Sequence, residues 1–261
     1  MLLPPVTDGM RSAAIAAADA AGAVLRMYFR TNLAATAKHD ESPVTAADRE
    51  TEQVIRDSLS ADFPDHGLFG EEDGLTRPYS PYRWVIDPID GTRAFITGRP
   101  SFVTLISLLY EGIPLLGLMD QPVTGERWFG VHNERTKYRG NFTGKAGTRN
   151  CHDLKSAELS CTCPEMLGEH NPNWHKLKAR CARNSWGGDG YAYGLLALGQ
   201  IDLIAEASLK LWDWAALVPI IEGAGGAITD WQGKPLTPGS DGRVLAAGDP
   251  TLIPAAVAAL A

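Results

Sequence analysis

Apolar positions recur at helical spacing over residues 8–30, where Ile15, Ala18, Val24, Leu25, Tyr28 and Phe29 offer one face for burial. Thr7 or Asp8 is placed to cap this helix. Residues 31–45, TNLAATAKHDESPVT, lose the pattern and read as an exposed segment. A second amphipathic helix is expected over residues 45–60, with Val54, Ile55 and Leu59 as its stripe. Thr45 and Asp48 fit a variant capping box at its start. Pro64 and Gly67 break the chain before a short strand that runs into an acidic turn, Glu71-Glu72-Asp73. Trp84, Val85 and Ile86 form the next apolar run. Asp87 is expected to end it, because Pro88 has no N–H for a ladder hydrogen bond. On that reading Asp87 and Asp90 lie in a loop at the strand's carboxyl end. Gly91 permits an unusual dihedral angle there, and Thr92 caps a short helix that Gly98 closes. Residues 102–110, 113–119 and 126–131 read as three antiparallel strands in a meander, turning at Glu111-Gly112 and at 122–125.

Residues 132–150 are polar and read as a loop or linker. They divide an α+β half (1–146), with a mostly antiparallel sheet, from an α/β half (147–261). In the second half a strand is expected at 157–162. A helical stretch at 164–178 is broken at Asn171-Pro172. A glycine turn at 187–190 precedes a helix at 191–198, and a strand at 201–205 ends at Glu206. A helix opens at Trp212, carries Asp213 in its first turn and runs through Glu222 to the stop at Gly223, Gly225 and Gly226. Strands at 227–231 and 244–247 and a final helix from about Pro250 complete the alternation.

At 261 residues the chain can bury a large core. Its 44% hydrophobic and 21% charged content is ordinary for a globular protein. A net charge of −7 without a Lys/Arg run argues against a nucleic-acid surface. No apolar run reaches the roughly 18 residues of a membrane helix. The first residues, MLLPPVTDG, lack the form of a secretory signal. Cys151, Cys161, Cys163 and Cys181 form no CxxC and have no histidine at finger spacing. They read as reduced cysteines of a cytoplasmic protein. Residues 140–145 miss the P-loop spacing, the glycines at 188–194 miss GxGxxG, and no GxSxG supports a serine nucleophile.

What remains is a set of carboxylates. Asp87 and Asp90 suit a hard divalent cation, and a helix N-terminus beside them suits a phosphate. If the strand before Glu71 neighbours the one before Asp87, the two acids can share an ion. Each residue also has a plainer reading: Asp48 as a cap, Glu71 as part of a solvated turn, Asp213 as a carboxylate favoured by the helix dipole.

DPIDGT at 87–92, GEE at 70–72 and WDWAA at 212–216 resemble, in order and over nearly the whole chain, the signatures of the inositol monophosphatase superfamily. The resemblance implies a layered αβαβα sandwich of the inositol monophosphatase and fructose-1,6-bisphosphatase type. It implies a Mg²⁺-dependent, often Li⁺-sensitive phosphatase with two to three ions per site, commonly a homodimer. By the family pattern Glu71, Asp87 and the Ile89 carbonyl hold one ion, Asp87, Asp90 and Asp213 a second, and a third sits near Glu71. Gly91 and Thr92 N–H groups hold the phosphate, with Lys38 assisting. Asp48 and Thr92 orient a metal-activated water for in-line attack. Within the superfamily, FITGRP at 95–100, DQP at 120–122, ERWFG at 126–130, GGDGYAYG at 187–194 and EGAGGAITDW at 222–231 look most like the histidinol-phosphate phosphatase branch. Asp189 and Glu206, with Asp90, would then contact the leaving alcohol, since carboxylates suit ammonium and imidazolium. The alternatives are an inositol-1-phosphate or other small-molecule phosphatase, in which Glu206 binds inositol hydroxyls and Asp189 caps a helix, and a non-catalytic metal- or phosphate-binding regulatory protein.

Overall fold

The computed structural model describes residues 3–31, 46–141 and 143–261, and the backbone alone at 36–37 and 43–44. Helix α1 (Asp8–Tyr28) begins at Thr7, whose hydroxyl accepts the Met10 N–H at 3.2 Å. Strands β1 (Thr36–Ala37) and β2 (Pro43–Val44) pair as a short antiparallel ribbon, and α2 (Ala46–Asp62) follows. The first half then builds β3 (Gly67–Gly70), β4 (Gly74–Thr76), β5 (Tyr82–Asp90), α3 (Thr92–Ile96), β6 (Val103–Tyr110), β7 (Ile113–Gln121), β8 (Glu126–Val131) and β9 (Lys137–Arg139). These strands form one seven-stranded sheet in the order β4-β3-β5-β6-β7-β8-β9. It is antiparallel except where β3 lies parallel to β5.

The second half contributes β10 (Glu158–Cys161), α4 (Asn171–Lys178), β11 (Arg183–Trp186), α5 (Asp189–Ala197), β12 (Leu203–Glu206), α6 (Leu211–Trp214), α7 (Leu217–Ala224), β13 (Ala227–Thr229), β14 (Val244–Ala247) and α8 (Ile253–Leu260). Its five-stranded sheet runs β11-β10-β12-β14-β13, parallel among the first three and antiparallel beyond.

Alternation along the central strands sets the layers. Trp84, Ile86, Ile106, Leu108, Leu116 and Leu118 face α1 and α2, while Val85, Leu105, Leu109 and Met119 join the core around α5 and α7. That inner core also takes Ile204, Val244 and Ala246 from the second sheet, whose opposite face packs on α4 and α8. The result is the αβαβα sandwich. Among the described residues, no helix is long and apolar enough to cross a membrane.

Several local expectations are corrected. Strand β5 does not stop at Asp87; it runs through Pro88 to Asp90. Its register against β6 shifts between Asp87, opposite Leu105, and Asp90, opposite Val103. Such an irregularity accommodates a proline without a donor, and the Pro88 carbonyl accepts the Thr104 hydroxyl at 2.8 Å. The two aspartates are therefore held by a sheet, not a loop. Gly91, not Thr92, is the N-cap of α3, at φ 88°, which favours glycine. The polar stretch 132–150 contains β9, an edge strand whose Tyr138 ring packs on Trp128 at 5.1 Å.

Strand β11 escaped notice because the edge segment RNSW has one apolar residue. The break before α4 falls at Gly168 (φ 49°, ψ −127°), while Pro172 sits in the first turn, where no donor is needed. The helix expected from Trp212 to Glu222 is two helices. The Ala216 carbonyl between them lies where a side chain on Gly117 would begin, 1.9 Å from an ideal Cβ, so the sheet glycine lets α7 lie against β7.

Candidate active site

The ends of β3, β5 and β12 and the starts of α2, α3, α5 and α6 carry the candidate residues. Strand β5 brings Asp87 and Asp90, and the first turn of α6 brings Asp213. One carboxylate oxygen from each lies within 4.8 Å of the others. Asp87 is 2% exposed, and its Oδ1 has no hydrogen-bond donor among the described residues. The Asp213 Oδ2 accepts the Lys210 N–H at 2.6 Å, so the carboxylate closes the first turn of α6, where the helix dipole also favours it. Asp90 accepts the Gly190 N–H at the start of α5. A Cβ at Gly190 would overlap Asp90 Oδ2, so that contact requires glycine.

Glu71 follows β3, and because β3 lies beside β5 its N–H reaches the Ile86 carbonyl at 3.3 Å. It stands outside the 4.8 Å group, yet close enough that its charge acts on Asp87 and Asp213. Burial, then the charges of Glu71, Asp90, Asp213 and Asp48, hold Asp87 well above the ordinary carboxylate range. Burial, then Asp189 and Asp213, do the same to Asp90 against the Gly190 N–H. Asp213 is pushed up to about 7 by burial, against the Lys210 N–H, with Glu71 raising it further. Buried like charges at this spacing cannot all ionise unaided. The unsatisfied Asp87 oxygen and an all-oxygen donor set fit a hard divalent cation.

Asp48 lies in the first turn of α2, 1% exposed. Thr45, its expected capping partner, and Lys38 lie outside the described residues. The Thr92 hydroxyl donates to the Ile89 carbonyl at 3.0 Å, so Ile89 O, the expected backbone ligand, already accepts one hydrogen bond.

Beside the carboxylates is a cavity of about 200 Å³ lined by Asp90, Asp213, Asp189, Glu206, Thr162 and Tyr193, among others. Asp189 is not a cap; the N-cap of α5 is Gly188, and Asp189 adopts φ 44° with its side chain over Gly91. Burial raises Asp189 to about 6 against the pull of Arg99 and Arg93. Glu206, 3% exposed, accepts the Thr162 N–H at 2.7 Å and the Tyr193 hydroxyl at 2.9 Å. Burial raises its pKa, hydrogen bonds from Thr162 and Tyr193 lower it, and the charge of Asp189 raises it again.

Two supports went unread in the sequence. Glu52, fully buried, accepts the N–H groups of Glu72 and Asp73 at 2.7 and 3.1 Å, pairs with Arg56 at 2.6 Å, and so fixes the turn that carries Glu71. A Cβ on Gly70 would overlap Glu52 Oε1, which accounts for the glycine of GEE. The legible signal was the Glu52/Arg56 i,i+4 pair. Tyr193 and Thr162, on Glu206, carried no such signal, because their contacts cross between elements distant in the chain.

A family model described as the inositol monophosphatase family matches residues 7–261. The bifunctional phosphatase IMPL2 (chloroplastic) of Arabidopsis thaliana is 46% identical over 222 residues, 84% of this chain. The match spans only 63% of that protein's length. The histidinol-phosphatase of Chlorobaculum parvum is 35% identical over 226 residues, 85% of each chain. The solved inositol monophosphatase from Zymomonas mobilis superposes with a TM-score of 0.87 at 46% identity, covering 95% of this chain and 96% of that one. With the sandwich, the carboxylate cluster and a full-length model match in agreement, the chain belongs to the inositol monophosphatase family of phosphatases.

Proposed function

We propose that the protein hydrolyses L-histidinol phosphate to L-histidinol and phosphate with Mg²⁺ at the carboxylate cluster. The observation that carries this reading is the placement of Asp189 and Glu206 in the cavity that also borders Asp90 and Asp213. Glu71, Asp87, Asp90, Asp213 and the Ile89 carbonyl are the groups that would hold two to three ions. When bound, such ions offset charge on the phosphoryl oxygens and lower the pKa of a coordinated water. The remaining work falls to the chain. The first N–H groups of α3, at Gly91 and Thr92, have no acceptor within the helix and suit a phosphate oxygen. With its hydrogen on Ile89 O, Thr92 offers its oxygen lone pairs to an attacking water. Asp48, deep in the first turn of α2, is the companion acceptor and general base, and its charge and that of Glu71 both act on Asp87. On the far side, Asp189 and Glu206 accept charged hydrogen bonds from the ammonium and imidazolium of the leaving alcohol. Inositol carries no such charge.

The test is kcat/KM for L-histidinol phosphate against inositol 1-phosphate, with Glu206→Gln and Asp189→Asn in parallel. The expected result is a preference for L-histidinol phosphate that each substitution reduces about tenfold or more, the scale of one charged hydrogen bond. A preference for inositol 1-phosphate would overturn the substrate reading.

Family resemblance also motivates a homodimer, a cytoplasmic location and inhibition by Li⁺. Solution scattering at micromolar concentration should give twice the 28.1 kDa chain mass, and a monomer would contradict the dimer.

A further inference from the structure

Hydrogens on the leaving-group side of the cavity are already committed. Glu206 can only accept from Thr162 N–H, so that hydrogen points away from any ligand. The Tyr193 hydroxyl, on a ring 1% exposed, gives its single hydrogen to the other Glu206 oxygen. The Ser208 hydroxyl gives its hydrogen to the Met166 carbonyl at 2.9 Å, and the Gly190 N–H is taken by Asp90. What these groups can still offer a bound molecule is lone pairs, on Glu206, Asp189 and the Ser208 oxygen.

We propose that Tyr193, with Thr162, is a positioning residue that holds Glu206 so that this wall presents acceptors to the leaving group, which selects alcohols bearing cationic N–H donors. The inference rests on the substrate reading above and deepens it. A neutral polyol can donate to such a wall, but each of its hydroxyl oxygens also seeks a donor that these side chains have committed elsewhere. An ammonium or a protonated imidazole has no such unmet need, and it adds charge to each bond. Removing the Tyr193 hydroxyl frees Glu206 to rotate and leaves one of its oxygens without its donor, without touching the carboxylate cluster.

Tyr193→Phe is expected to raise KM for L-histidinol phosphate about tenfold, with kcat within about twofold, since a hydrogen bond to a charged group has that worth. KM for inositol 1-phosphate should change about twofold or less. In a Glu206→Gln background the same substitution should add nothing further. A merely structural tyrosine would move both esters alike, or move kcat, or add its full effect in the Gln background; any of these overturns the inference. If Tyr193→Phe fails to fold, Thr162→Ala, which keeps the N–H but removes the side chain that helps hold charge on Glu206, should give the same selective rise in KM. An unselective rise there overturns the inference equally. If the wild-type protein does not turn over L-histidinol phosphate, the substrate reading falls by itself. The coupling of Tyr193 to Glu206 is then read from KM of the ester that is turned over, and additivity there removes the positioning role.

Discussion

Asp87→Asn is expected to lower Mg²⁺-dependent kcat/KM by on the order of 10³-fold or more, the scale on which losing one electrostatic stabiliser of a transition state is felt. Asp87 is central to the cluster: Glu71, Asp90, Asp213 and Asp48 all act on it, and its buried Oδ1 has no donor among the described residues. The same substitution should stabilise the metal-free protein. Folding holds Asp87 and Asp213 above the ordinary carboxyl pKa, so from that ordinary range up to about 7 for Asp213 the folded state binds more protons than the unfolded one. Stability of the metal-free protein therefore falls as pH rises through that window. An asparagine relieves part of the repulsion. Melting curves in chelator should show the wild type less stable at pH 8 than at pH 5, with Asp87→Asn narrowing the difference. Near-normal turnover in the mutant would refute the cluster as the catalytic centre.

The second large effect concerns Asp48 and Thr92. Each of Asp48→Asn and Thr92→Ala should lower kcat roughly 10²-fold or more, as expected for a positioned acid–base group. The double mutant should be little worse than either single, because both residues act on one water. Thr92 already has its hydrogen on Ile89 O, so in the proposed pair it would accept, as would the Asp48 carboxylate. If Asp48 were only a cap for α2, its substitution would cost about 1 kcal/mol of stability and leave the rate intact. Fully additive losses in kcat would dissolve the pair.

Most of the architecture was legible because it follows from periodicity. The continuous apolar run Trp84-Val85-Ile86 reads as a strand buried on both faces, as it is, and the spacing of α1 and α2 marks their buried sides, except that Ile15, expected on the buried face of α1, is 41% exposed. Asp87, Asp90 and Asp213 were legible through family motifs, and the structure brings one oxygen of each together within 4.8 Å. What stayed hidden lay in long-range geometry. Pro88 suggested a strand end because nothing local shows that β5 and β6 slip register there. The close seat of the α6–α7 junction on the sheet depends on Gly117, about a hundred residues earlier in the chain, admitting the Ala216 carbonyl. Glu52 looked like one more charge on a helix face, yet it is fully buried under the turn that carries Glu71. Asp189 could be read as a cap or a ligand; its placement over Gly91, with Gly188 as the actual N-cap, removes the cap reading.

The central claim is that clustered carboxylates, otherwise in mutual repulsion, work as a cation-dependent phosphatase centre. Phosphate release from L-histidinol phosphate, measured after chelation and again after Mg²⁺ is restored, tests it most directly. The expected result is no turnover above background in chelator and full recovery on adding Mg²⁺. Phosphate release that is unchanged by chelation would contradict it.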